Sequence, residues 1–237
     1  MSASPTVSGT SGSVYAGGAF WERLWRSAGI QSAALFIVAA FLYGQQPHAG
    51  ASADDLTAFY LGERGRILIA AFVFGLATLN LLWFAAAIRA TLAAEGKDGW
   101  GSAATAASAA FGALFLLFVT VVAALSYSIA GAGDAALASG LNDFAWVCFV
   151  LTSFPRAMLI MSGSFGFWRA GLISNATFTV CVAGVVLVLL GGTTWASDGF
   201  WAPGGVFSRL LSPAIGLVWV VLVSAFLLRR PAAPTGW

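Results

Sequence analysis

Six long apolar runs, separated by short polar stretches, constrain this chain more than any other feature. They cover residues 27–43, 67–92, 103–130, 144–168, 172–192 and 210–228. A helix that crosses the hydrocarbon core of a bilayer needs about 20 mostly apolar residues, rising 1.5 Å each. The first run is short but adequate, and the others are ample. The expectation is an all-α integral membrane bundle of six transmembrane helices.

Charge supports the same conclusion. Only 8% of the 237 residues are charged, 59% are hydrophobic, and the mean hydropathy is +0.89. A soluble domain carries about 25% charged residues, so lipid must solvate much of this surface. Disorder is excluded as well, because it needs high charge and low hydrophobicity. The net charge is +2 and the basic residues are scattered, which leaves nucleic-acid binding without an electrostatic basis.

The same inventory excludes several chemistries. Cys148 and Cys181 both lie in apolar runs, and so suggest neither a disulfide framework nor a metal site. His48 is the only histidine, so a zinc cluster or bis-histidine haem cannot form. Lys97 is the only lysine and lies in a polar loop, so no Schiff base can form within a span. No cofactor is expected.

Residues 1–20 are rich in Ser, Gly and Ala and read as a flexible tail, and 231–237 as a short C-terminal tail. Trp21, Arg23, Trp25 and Arg26 then form an interfacial group of aromatic and basic side chains. Ala49-Gly50-Ala51-Ser52-Ala53 resembles a signal-peptide cleavage region. The tail before the first run is long and starts uncharged, unlike a basic n-region, so the run is read as a span.

Orientation follows from the positive-inside rule. Arg23, Arg26, Arg89, Lys97, Arg169, Arg229 and Arg230 fall on one side, and only Arg64, Arg66 and Arg209 on the other. Asp54, Asp55, Glu63, Asp134, Asp143 and Asp198 share the second side. Both tails are therefore expected in the cytoplasm, and the protein in the cell membrane of a bacterium. Trp146 and Trp168, about 33 Å apart along a helix, fit the two aromatic belts of one continuous fourth span. A disulfide between Cys148 and Cys181 is not expected, because the two lie at different depths.

Outside the membrane, Ser52-Ala53-Asp54-Asp55 has capping-box spacing and precedes Leu56, Phe59 and Tyr60 on one helical face. A short amphipathic helix on the outer surface is expected, or else a lid over a pocket between spans. Trp25-Arg26-Ser27-Ala28-Gly29 and Trp168-Arg169-Ala170-Gly171 echo one another, which fits a shared interfacial anchor better than duplication.

Arg156 is the most informative polar residue. It lies about 15 Å inward of Trp146, near the bilayer centre, where an arginine costs about 2.5–3.5 kcal/mol on insertion scales. None of the acids lies within a span. Three roles are open to Arg156. It could bond to carbonyls, including that of Leu151, freed by Pro155. It could hold an anionic ligand such as a lipid headgroup. It could pair with an acid of another subunit.

Asn80, Trp219 and Thr120 fall at similar depth, and with Arg156 they are the candidate ligand-binding residues. An interior cluster of Arg156, Asn80 and Trp219 could include a cation–π contact. Gly29/Ala33, Ala71/Gly75, Ser108/Gly112 and Ser212/Gly216 have the spacing of close helix contacts. Gly163 and Gly166 could form a flexible point.

Three functions remain. The first is a non-enzymatic accessory or scaffold subunit, or a binder of a lipophilic or anionic ligand. The second is a small oligomeric transporter or channel with its site at Arg156. The third is a membrane-embedded enzyme acting on lipid or isoprenoid substrates, whose acid–base groups would come from the dispersed outer acids and His48. Expected partners are the lipid bilayer, an anionic lipid or small ligand, and further copies or a larger membrane complex.

Overall fold

Long unbroken apolar sequence, punctuated by glycine and short polar turns, builds helices and nothing else among the described residues of the computed structural model, which are Trp21 and 23–230. The two expected tails, 1–20 and 231–237, lie outside them. The helices are α1 (Ala28–Tyr43), α2 (Ala53–Gly62), α3 (Arg64–Ala94), α4 (Asp98–Tyr127), α5 (Ala135–Leu151), α6 (Ser153–Arg169), α7 (Asn175–Leu190) and α8 (Ser212–Arg229). The fold is an all-α bundle.

Five helical stretches are long and apolar enough to cross a membrane: Arg64–Ala94, Asp98–Gly131, Ala135–Arg169, Asn175–Thr193 and Phe207–Arg229. α1 is shorter, at 16 residues. Its hydrogen bonding nevertheless continues backwards, from Ser27 N–H to Arg23 O at 3.0 Å and from Gln31 N–H to Ser27 O at 3.1 Å. The helical path from Arg23 to Tyr43 is therefore about 31 Å long.

The fourth apolar run forms one crossing made of two helices, and it starts earlier than hydropathy suggested, at Ala135. Asp134 caps it by accepting from Leu137 N–H at 3.0 Å. The break falls at Thr152, whose hydroxyl donates to Phe149 O at 2.6 Å. Pro155, one turn on, has no N–H for Leu151 O, so the chain bends there instead of continuing straight. Trp146 also departs from expectation. It is 4% exposed and donates from Nε1 to Pro47 O at 2.8 Å, so it turns inward rather than lining a belt.

α3 and α4 form the central pair, with α1 on one side and α5–α6 on the other; α7 and α8 complete the bundle. Between α1, α3 and α4 lies a phenylalanine cluster in which Phe36 and Phe74 each stand edge-on to Phe115 at 5.2 Å. The cavity beside it, lined by Tyr43, Ile67, Phe74 and Phe118, is about 10 Å³, at most the size of one water. Small residues set the close contacts. A Cβ at Gly29 would sit 2.7 Å from Phe84 and 2.9 Å from Ser224, so α1 is pressed against α3 and α8. Gly163 lies under Trp219 and Gly166 under Leu92 and Trp100, which makes them packing positions and not a hinge.

Polar segments gather at two opposite ends. At the terminal end, Arg26 donates from Nη1 to Arg230 O at 2.8 Å, and Arg230 pairs with Glu95 at 3.1 Å. The start and finish of the described chain are thus neighbours. The opposite end carries α2, with Ser52 capping it through Asp55 N–H at 3.2 Å and with Leu56 and Tyr60 buried. The bundle's sides expose large apolar groups, among them Phe41, Phe72, Val180 and Leu222. Such a surface fits a membrane protein.

Candidate functional site

Arg156 follows Pro155 directly, so the helix break controls where its guanidinium goes. Nη2 donates to Ser153 Oγ at 3.1 Å. The expected bond to Leu151 O is replaced by this one. The aliphatic stem crosses Gly216 of α8, where a Cβ would lie 3.0 Å from Arg156 Cδ. Nε is enclosed and has no partner. Gly216 lies about 10 Å along the helix from Arg209 and about 20 Å from Arg229. Arg156 therefore sits within about 5 Å of the middle of that helical path, displaced toward the α2 end.

Two serines converge beside it. Ser212, at the start of α8, is fully buried, and its hydroxyl also lacks a partner. A Cβ at Gly191, past the end of α7, would meet Ser212 Oγ at 2.5 Å and Ser153 Oγ at 2.8 Å. Only a glycine there lets the two hydroxyls approach the same spot. Nothing local in the sequence announces this meeting, because its members come from three helices.

The other expected site residues have hydrogen-bond partners other than Arg156. Asn80 donates from Nδ2 to Leu76 O of its own helix at 3.0 Å. Thr120 is exposed and donates back to Leu116 O at 2.8 Å. Trp219 is buried, donates from Nε1 to Ser164 Oγ at 2.9 Å and stands edge-on to Phe84 at 6.0 Å. Among the described residues, Arg64 over Tyr127 and Arg230 over Phe226 make cation–π contacts, one at each end.

The α2 end holds a buried polar network that hydropathy did not signal. Tyr43 donates its hydroxyl to Gln46 Oε1 at 2.9 Å, and Gln46 donates to Asn142 Oδ1 at 3.1 Å. Tyr60 donates to the same Asn142 oxygen at 2.9 Å, and Asn142 Nδ2 donates to His48 O at 3.1 Å. Burial pushes the Tyr60 phenol well above its ordinary range, so it stays a donor at neutral pH. α2 and the loop before it are thereby fastened onto α5, with every polar atom of Asn142 occupied.

The acids at this end are tied to local structure. Asp55 accepts from the Ser52 hydroxyl at 2.7 Å, Asp134 caps α5, Asp143 accepts from Gly50 N–H at 2.9 Å, and Glu63 pairs with Arg66 at 3.1 Å. Asp54 and Asp198 are exposed. An open depression of about 170 Å³ between α2 and α5 is lined mainly by alanines, with Asp134 at its edge. Among the described residues, no group of three His, Cys, Asp or Glu side chains is placed to hold a metal ion. Cys148 and Cys181 are free thiols. No protein-family model, curated protein or solved structure matches this chain.

Proposed function

We propose that this chain is a six-span protein of a cell membrane that works without enzymatic chemistry, as an accessory or scaffold subunit of a larger membrane assembly. The observation that carries this is the state of the polar groups at the α2 end. Four of its acids are committed to a serine hydroxyl, a cap, an ion pair and a loop contact, and its buried amides bond to one another. Acid–base catalysis needs a carboxyl or imidazole held where a substrate can lodge, and the two remaining acids at this end, Asp54 and Asp198, are exposed and line neither described cavity. The broad apolar sides, by contrast, offer contact area to lipid and to other spans.

Six crossings are supported by the Arg26–Arg230 contact, since neighbouring ends require an even number of passes. Tails in the cytoplasm follow from the excess of basic residues at that end. The test is extraction of the full chain from its native membrane in mild detergent, followed by mass measurement. A stoichiometric second protein, or a fixed number of copies, is the expected result. A lone 24.4 kDa species in every detergent would overturn the subunit role.

Arg156 favours a second function, a small oligomeric transporter or channel for anions, because its enclosed Nε has no protein acceptor. Anion flux into vesicles holding the purified protein, lost in Arg156→Gln, distinguishes it from a scaffold.

A further inference from the structure

We propose that Arg156, Ser153 and Ser212 form a seat for a phosphate-type oxyanion between α6 and α8. This goes beyond the subunit role and does not depend on it. Two enclosed polar atoms without partners, Arg156 Nε and Ser212 Oγ, lie on neighbouring helices: the Arg156 stem crosses Gly216, one turn after Ser212, and Gly191 admits the Ser212 and Ser153 hydroxyls to one spot. A buried polar atom that finds no partner is unusual enough to need an explanation. Both atoms can donate, so one acceptor-rich group placed between α6 and α8 would satisfy both.

Charge selects the class of ligand. Among the described residues the ion pairs join Arg66 to Glu63, Arg89 to Asp98 and Arg230 to Glu95, and Arg156 pairs with no acid. An anion is therefore favoured and a cation excluded. Guanidinium offers five N–H donors in a plane, of which Ser153 uses one. A tetrahedral phosphate can take two of these and present a third oxygen to the Ser212 hydroxyl on the second helix.

Position selects the source. Arg156 itself is half-buried, and Phe154 and Met158, on the opposite face of α6, are 49% and 48% exposed, so α6 stands at the bundle's flank. Above them, Trp195 and Phe200 are exposed, and Trp201 stacks on Phe207 at 4.5 Å while donating to Thr193 O. Exposed aromatic rings of this kind belong at headgroup level. A phospholipid headgroup and free phosphate share the required chemistry.

The test compares wild type, Arg156→Gln and Ser212→Ala, each as delipidated full-length protein. In one arm, each is incorporated into phosphatidylglycerol vesicles and lipid retention is counted by native mass spectrometry. In the other, inorganic phosphate is titrated and followed by phosphorus NMR. Expected is stoichiometric uptake by wild type in at least one arm, weakened about tenfold in Arg156→Gln and about fivefold in Ser212→Ala. Uptake confined to the vesicle arm assigns the headgroup as ligand, and uptake of inorganic phosphate assigns the free anion. Ser212 has no protein partner to lose, so its alanine variant should fold as wild type does. No uptake in either arm, or uptake equal in all three proteins, overturns the seat.

Discussion

Tyr60 joins α2 to the bundle through one hydrogen bond, and its removal can be predicted with sign and size. Tyr60→Phe deletes the donor to Asn142 Oδ1, which still accepts from Gln46. No buried group is left unpaired, so the cost should be about 1 kcal/mol, read as a lowered midpoint in detergent unfolding. Asn142→Leu is different in kind. It strands Gln46 Nε2 and the Tyr60 hydroxyl together, at about 1–3 kcal/mol for each buried unpaired group, while His48 O keeps Ala51 N–H at 3.2 Å. Alkaline pH gives a second measure of the same bond. The phenol's folded pKa is raised by burial, so the unfolded chain releases its proton first. Stability should hold up to the ordinary tyrosine value of about 10 and fall as pH rises beyond it. The fall should be shallower in Tyr60→Phe, and equal slopes would mean that other groups dominate the alkaline loss.

At the level of elements, what could be read from the chain was whatever is local. The apolar runs mark the spans, and Ser52 three residues before Asp55 marks the start of α2, because both patterns act through near neighbours. The early start of α5 was not legible: Ala-Ala-Leu-Ala-Ser-Gly is too weakly apolar to mark a span, and the cap at Asp134 sets the boundary. Depth could be counted along a helix, but rotation about its axis could not. Asn80, Thr120 and Trp219 were therefore grouped by depth, although Thr120 faces outward and Trp219 inward. The sequence marks Ser212 only as a small-residue partner of Gly216 and does not mark Ser153, because their meeting depends on Gly191, far away in sequence. The small-residue pairs show the same limit. Gly29 is clamped between Phe84 and Ser224, whereas Gly75 has nothing within 4 Å of a Cβ position. Gly29→Ala should destabilise by about 1–3 kcal/mol through overpacking. Gly75→Ala should be neutral or stabilise by up to about 1 kcal/mol through helix propensity. Unfolding in mixed micelles separates the two, and equal effects would show that α1 does not pack as closely as described.

For the whole molecule, the distribution of arginines bears on which end faces the cytoplasm. The three on the α2 end are tied to the protein there: Arg209 donates to Gly44 O at 2.8 Å, Arg66 lies against Gly44 while pairing with Glu63, and Arg64 sits over Tyr127. Cations at the C-terminus of α1 also complement its dipole. These three have structural reasons to be where they are, which leaves the surplus at the terminal end as the topological signal. Asp198→Cys and Ala94→Cys place single exposed thiols at opposite ends. The native Cys148 is buried and Cys181 half-buried within apolar helices, so a membrane-impermeant maleimide should leave both unlabelled. In intact cells, Cys at 198 should label and Cys at 94 should label only after permeabilisation. The reverse pattern would invert the orientation while leaving the even number of crossings intact. Labelling of both from outside would overturn the six-span arrangement, because ends joined by Arg26 and Arg230 cannot then lie across the bilayer from α2.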